Sequence, residues 1–134
     1  MDLKLLILVG GLLHFGILIA SALVPGVLDW RRELAKVAPL SRQLIWVHGA
    51  FIVLVIVGFG VLSVAASGEL AAGSALARGV CLFVAIFWGA RLVVQFFVFD
   101  AKPYLKSAFL RLGYNGLTAV FAYLTLVYAV AAVR

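Results

Sequence analysis

The stretch Ile7–Gly26, ILVGGLLHFGILIASALVPG, decides the fold of this chain. From Leu5 to Val24 every residue is apolar or small, apart from two polar residues, His14 and Ser21. A helix needs about 20 such residues to cross the hydrocarbon core of a bilayer. The stretch therefore predicts a transmembrane helix, and it places an imidazole near the middle of that helix.

The whole chain has the composition of a membrane protein. Of its 134 residues, 66% are hydrophobic and 12% are charged, which is too few charges to solvate the surface of a globular domain in water. A bilayer explains both values, because lipid replaces water around the outer face. We therefore expect a single all-α integral membrane domain over residues 1–134. The one cysteine, Cys81, excludes an intramolecular disulfide.

Four segments are long and apolar enough to cross a bilayer. They cover about residues 3–24, 44–66, 75–99 and 108–133. Short connectors make consecutive helices antiparallel neighbours, so we expect an up-down-up-down four-helix bundle. Glycines in three of the spans are expected to support close helix contacts: Gly10, Gly11, Gly16, Gly49, Gly58, Gly60, Gly113 and Gly116.

The connectors differ in their expected structure. Pro25 and Gly26 are expected to end the first helix. The segment VLDWRRELAKVAPL, residues 27–40, has apolar residues at spacings of three and four, which predicts a short amphipathic helix in the headgroup layer. Pro39 is expected to end this helix, with Ser41 capping the second span and Ser107 the fourth. The second connector, SGELAAGSA, predicts a simple turn.

The basic residues predict the orientation. Most of the lysines and arginines that give the net charge of +6 lie in short connectors, which favours the positive-inside rule over binding of nucleic acid. Their distribution places connectors 25–43 and 100–107 in the cytoplasm and both termini outside, in a bacterial-type inner membrane. An aromatic belt is expected on the cytoplasmic side, formed by Trp30, Trp46 and Tyr104. The first span also has the pattern of a cleavable signal peptide, and its loss would leave three spans.

Six polar side chains inside the spans are candidate ligand-binding residues: His14, His48, Arg91, Gln95, Tyr114 and Asn115. An ionisable group at the bilayer centre costs about 2.5–3.5 kcal/mol, so it is a functional hypothesis by default. A rise of about 1.5 Å per residue puts all six in the cytoplasmic half or at the midplane. We expect them to line a polar pocket open to the cytoplasm, with Arg91 as the partner of His14.

Each candidate also has a structural interpretation. His14 can be neutral and hydrogen-bonded to a backbone carbonyl. His48 can be solvated at the interface, and Tyr114 and Asn115 can serve only to join helices. Asp100 is a candidate structural partner of Arg91.

The leading hypothesis is the binding of a hydrophobic or amphiphilic cofactor or substrate, with haem b, a quinone or a lipid-like anion as candidates. His14 and His48 are the candidate axial ligands of a haem, although their expected depths differ by about 8 Å. Arg91 suits a carboxylate or a phosphate.

Two other classes stay open. A chain this small can be an accessory or assembly subunit of a larger membrane complex, or it can form a homo-oligomer. It can also be a small anion or solute transporter. The four spans contain no Asp or Glu, which argues against proton or cation transport. The residues leave open whether the protein is an enzyme, since they form no P-loop or Ser–His–Asp motif.

Overall fold

The computed structural model describes residues 2–98 and 107–133. The helices are α1 (Leu3–Val27), α2 (Trp30–Glu33), α3 (Pro39–Ala65), α4 (Ser67–Ala71), α5 (Ala75–Phe97) and α6 (Ala108–Val133), with a 3-10 turn at Leu34–Lys36 between α2 and α3. These two ranges contain no strand, which confirms the all-α class.

Four of the helices are long and apolar enough to cross a membrane. They are α1, α3, α5 and α6, with 25, 27, 23 and 26 residues. The number of spans predicted from the sequence is therefore confirmed, and the chain has the helices of a multi-pass membrane protein. The bounds of α6 agree with the prediction, whereas α3 begins five residues before its predicted start.

Two prolines lie at other helix positions than the sequence predicted. Pro25 does not end α1, because it lies inside the last turn and the helix continues to Val27. Proline lacks an N–H and removes one helical hydrogen bond, which is a small loss so close to a helix end. Pro39 is the first residue of α3, where its fixed φ suits a helix start and its missing N–H would have no partner. Ser41 therefore lies inside the helix and is not its cap.

Both of the first two connectors contain short helices. In the first connector, α2 and the 3-10 turn cover residues 30–36 of the segment that was predicted to form a short amphipathic helix, and their position at a membrane surface stays a prediction. The second connector is not a simple turn, because it forms α4 and buries Ser67 and Leu70. The Ser107 hydroxyl accepts a hydrogen bond from the Leu110 N–H at 3.1 Å, so the predicted cap of α6 is confirmed.

The helices pack unevenly around one core. Helix α1 packs against α3 and α6, and α5 packs against α6. The approach of α1 to α3 is closest at Gly11, where a Cβ atom would lie only 3.1 Å from the carbonyl oxygen of Gly60. Gly10 also faces a neighbouring helix. Five of the glycines expected at contacts have open space around them: Gly16, Gly49, Gly58, Gly113 and Gly116. A glycine permits close approach only on the packed face of its helix, and composition does not say which face that is.

The two halves of α3 differ in burial, and this difference distinguishes two ends of the bundle. Its buried residues are Ile56, Gly60 and Ser63, all in its second half. From residue 43 to residue 55, by contrast, every position is exposed or half-buried. We call the part of the bundle around Ser63 the closed end. The part beside the first half of α3, at the level of Arg91 and Gln95, is the open end.

Candidate functional site

His14 lies in the core of the closed end and is fully buried. Its Nδ1 atom is 2.7 Å from the carbonyl oxygen of Gly10, one turn earlier in α1. Its Nε2 atom is 2.9 Å from Nε1 of Trp88 on α5. An indole N–H can only donate, so Nε2 accepts and Nδ1 carries the proton that is donated to Gly10. The imidazole is therefore neutral, and both of its nitrogens are engaged.

Three aromatic rings surround this imidazole, and one of them, that of Tyr128, is hydrogen-bonded to Ser63. The rings of Phe59, Trp88 and Tyr128 meet it edge-on, with centroids 6.0, 5.3 and 6.0 Å away. The hydroxyl groups of Ser63 and Tyr128 are hydrogen-bonded to each other. We call His14, Ser63, Trp88 and Tyr128 the closed-end cluster, and all four side chains are buried. It supports the structural interpretation of His14 as a neutral group bonded to a backbone carbonyl.

Ser63 and Tyr128 were not among the candidate residues, because hydroxyl groups carry no strong cost that would single them out in a hydrophobic segment. Their partnership joins positions 65 residues apart. No local spacing in the sequence could have indicated it.

His48 lies far from this cluster. It is exposed on α3, and its Nδ1 atom is 2.7 Å from the carbonyl oxygen of Leu44. Phe59, which contacts the ring of His14, is on the same helix but about 16 Å further along its axis. The structure therefore does not bring the two imidazoles together, and it offers no site where both could bind one haem iron. Within residues 2–98 and 107–133, no three His, Cys, Asp or Glu side chains form a group that could hold a metal ion.

Arg91 lies one turn beyond Trp88 on α5 and is half-buried. Its guanidinium carbon is 5.3 Å from the centroid of the Phe121 ring. The Phe121 ring stacks on Trp88, with centroids 5.2 Å apart and an interplanar angle of 17°. His14 and Arg91 are thus linked through two stacked rings, while both nitrogens of His14 are engaged by other partners. Asp100, the predicted structural partner of Arg91, lies outside the described residues.

A groove runs between α3 and α5 at this level. Its volume is about 490 Å³, and its lining residues are Ile52, Phe83, Ile86, Phe87, Ala90, Arg91 and Val94. Six of these seven side chains are apolar, so Arg91 supplies the charge of the groove. We call it the Arg91 groove. Sequence reasoning identified Arg91 but not the groove, because the separation of α3 from α5 has no signature in either helix alone.

Gln95 and Tyr114 come together in a separate network between α5 and α6. The side-chain amide of Gln95 donates a hydrogen bond to the Thr118 hydroxyl. The Tyr114 hydroxyl donates to the backbone carbonyl of Gln95 at 3.1 Å, and the Thr118 hydroxyl donates to the carbonyl of Tyr114 at 3.0 Å. The two bonds to Gln95 join α5 to α6, and the bond from Thr118 to Tyr114 lies within α6. Asn115 is exposed on α6 and lies outside this network.

The six candidate residues therefore do not form one pocket. Gln95 and Tyr114 meet, Arg91 lines a groove, and His14 belongs to a buried cluster, while His48 and Asn115 are exposed. Comparison with known protein families, with curated proteins and with solved structures finds no match to this chain. The geometry of the chain itself is therefore the basis for its proposed function.

Proposed function

We propose that this small multi-pass membrane protein binds a lipid-like anion, an amphiphile with an anionic head and an apolar tail, in the Arg91 groove. One observation carries the proposal. A single guanidinium lines a groove of about 490 Å³ whose other six lining side chains are apolar. The volume is within the range of about 300–1,000 Å³ that is typical of small-molecule sites.

The chemistry of the groove matches both parts of such a ligand. Guanidinium groups donate several hydrogen bonds in a fixed fork that fits a carboxylate or a phosphate. In the low-dielectric interior of a membrane, the positive charge of Arg91 attracts an anionic head group strongly. The rings of Phe83 and Phe87 and the side chain of Ile52 offer the tail an apolar wall. The ring of Phe121 holds the guanidinium at the inner side of α5.

A quinone is the second ligand class, because Arg91 can donate a hydrogen bond to a carbonyl oxygen as well. The anion is favoured, because its full negative charge attracts the guanidinium more strongly than the partial charge of a quinone carbonyl does. A haem bound through the two histidines has less support, because both nitrogens of His14 are already engaged and His48 is about 16 Å away along the bundle.

We also propose the orientation in which the helices alternate up and down in an inner membrane. Connectors 25–43 and 100–107 are then cytoplasmic, both termini are outside, and α2 lies in the headgroup layer. Contacts along α1 support alternation, since Gly11 lies beside Val64 of α3 and the later residue Phe15 lies beside the earlier residue Gly60. In this orientation the Arg91 groove belongs to the cytoplasmic half of the bundle.

Paired ligands that differ only in their head group test the proposal. Oleate and oleyl alcohol have the same tail, and the purified full chain is titrated with each in detergent by isothermal calorimetry. We expect oleate to bind at least about tenfold more tightly than oleyl alcohol, because a charge-assisted bond to Arg91 is worth about 1.5–3 kcal/mol. Arg91→Gln should remove this preference.

Arg111→Gln is the matched control, because Arg111 is an exposed arginine on α6 that does not line the groove. It removes the same charge and should leave the preference unchanged. Equal binding of the two ligands to the wild-type chain would contradict the proposal, and so would an equal loss in both variants. Short-chain ubiquinone in the same assay tests the second ligand class.

A second function, that of an accessory subunit or homo-oligomer, is favoured by two exposed polar residues. His48 and Asn115 lie within spans and are exposed, where a further helix could satisfy their polar groups. Asn115→Cys in a Cys81→Ser chain tests contact with a second copy by oxidative crosslinking in membranes. A crosslinked dimer at Asn115 but not at Leu112, which is also exposed on α6, would favour the homo-oligomer.

Transport of a small anion past Arg91 has less support. The closed-end cluster fills the bundle one turn away from Arg91, so the groove does not continue through the core in this conformation.

A further inference from the structure

A second cavity lies away from the Arg91 groove, where the first connector folds between α1 and α3. Its volume is about 700 Å³. Two arginines and two tryptophans line it: Arg31, Arg42, Trp30 and Trp46. We propose that this connector cleft binds the headgroup of an anionic phospholipid.

The cleft is positively charged. Arg31 and Arg42 come from different elements, and Arg42 is half-buried. One carboxylate, that of Asp29, also lines the cleft, but the Nε atom of Arg32 lies 3.4 Å from its Oδ2 atom and offsets its charge. Guanidinium groups recognise phosphate through paired hydrogen bonds, and two of them on opposite walls can bind one phosphate together.

The two indole rings place the cleft where a lipid headgroup would be. The rings of Trp30 and Trp46 meet edge to face with centroids 5.2 Å apart. Tryptophan is enriched at membrane–water interfaces because one part of its ring is apolar and its N–H is polar. The cleft also includes Pro25 in the last turn of α1, so it lies beside the ends of two spans. A phospholipid whose tails lie along α1 and α3 would therefore present its phosphate at this cleft.

The backbone of the connector is shaped to form this cleft. Asp29 has φ 53°, in the left-handed region that non-glycine residues seldom adopt. The chain reverses there, so Trp30 and Arg31 of α2 face Arg42 and Trp46 of α3. Strained backbone of this kind persists where the surrounding structure requires it, and it is frequent at ligand sites.

Native mass spectrometry of the full chain in detergent micelles tests the proposal. The chain is titrated with phosphatidylglycerol, which is anionic, and separately with phosphatidylcholine, which is zwitterionic and has the same tails. We expect the first phosphatidylglycerol to bind more tightly, because it carries a net negative charge and each arginine that lines the cleft contributes about fivefold. Arg31→Gln/Arg42→Gln should lower this affinity about tenfold or more, to the level of phosphatidylcholine.

The charge-matched control is Lys36→Gln/Arg111→Gln, because both residues are exposed and neither lines the cleft. It should change the affinity by less than about twofold. Arg31→Lys/Arg42→Lys should retain most of the preference and shows that the connector still folds. Because the Arg91 groove is proposed to bind anionic amphiphiles as well, the comparison is repeated in an Arg91→Gln chain. The preference for phosphatidylglycerol should remain there and should still be lost in Arg31→Gln/Arg42→Gln, which separates the two sites.

Three results would overturn the inference. The wild-type chain could bind both lipids equally, or the control could lose as much affinity as the cleft variant. Inorganic phosphate in large excess could also displace phosphatidylglycerol completely, in which case the cleft binds free phosphate and not a lipid.

Discussion

The two ends of the bundle use polar side chains in opposite ways. At the closed end, His14 is fully buried, and hydrogen bonds engage its two nitrogens. At the open end, Arg91 is half-buried as a residue and lines a groove between two helices. Both residues are ionisable groups within hydrophobic spans, and sequence reasoning assigned them to the same pocket.

We infer from this difference that a polar residue inside a span can meet a ligand only where it lines open space. A satisfied polar cluster fixes how helices pack, since each group loses its partner if the helices move apart. Arg91 lines an open groove, where we propose that a ligand binds. The same comparison explains why His14 is assigned a structural role and Arg91 a binding role.

The largest expected effect on stability comes from removing the imidazole of the closed end. His14→Ala should lower the free energy of unfolding by about 3–4 kcal/mol, because it leaves a cavity and a buried Trp88 N–H without an acceptor. His48→Ala, the matched control at the exposed histidine, should change it by less than about 0.5 kcal/mol. Unfolding by SDS in mixed micelles measures both. Similar losses for the two variants would remove the distinction between the ends.

A smaller effect is expected where α1 meets α3. An alanine Cβ at Gly11 would lie 2.9 Å from the Cβ of Ser63, whereas one at Gly16 would meet open space. Gly11→Ala should therefore cost about 1–3 kcal/mol through overpacking. Gly16→Ala should be neutral or stabilising by up to about 1 kcal/mol, since alanine is the better helix former. The midpoint of thermal unfolding in detergent measures both, and equal shifts would mean that α3 is not in close contact with α1.

The smallest effect is expected for the hydrogen bonds that join α5 to α6 near the open end. Gln95→Leu removes the amide that donates to Thr118 and should cost about 0.6 kcal/mol, the average for such bonds inside membranes. Asn115→Leu is the comparison, because that amide is exposed, and it should cost nothing measurable in detergent. A larger loss for Asn115→Leu, measured by the same unfolding assay, would show that it has a structural contact within the bundle.

Hydropathy predicted the four spans because each is long and apolar enough to show without any tertiary information. The end at Val27 was missed, since a proline in the last turn of a helix removes only one hydrogen bond. The polar residues within the spans were also identifiable, because each is unusual in a hydrophobic segment.

The partners of those residues could not be predicted. The bond from Trp88 to His14 joins positions 74 residues apart, and the pairing depends on how the helices are rotated. The separation of α3 from α5, which creates the Arg91 groove, is a property of the packed bundle. Glycine content likewise predicted close contacts in general, but only the structure distinguishes Gly11 from Gly16.

Trp88 closes off the imidazole of His14, and we propose that ligands bind elsewhere. The chain has three tryptophans, so their indole N–H signals can be resolved by 15N NMR in detergent and assigned with Trp88→Phe. We expect the Trp88 indole proton to exchange with solvent far more slowly than those of Trp30 and Trp46, and to be unchanged when oleate is added. Exchange of the Trp88 proton as fast as the other two would contradict the account, because it would show that His14 lies in an open site.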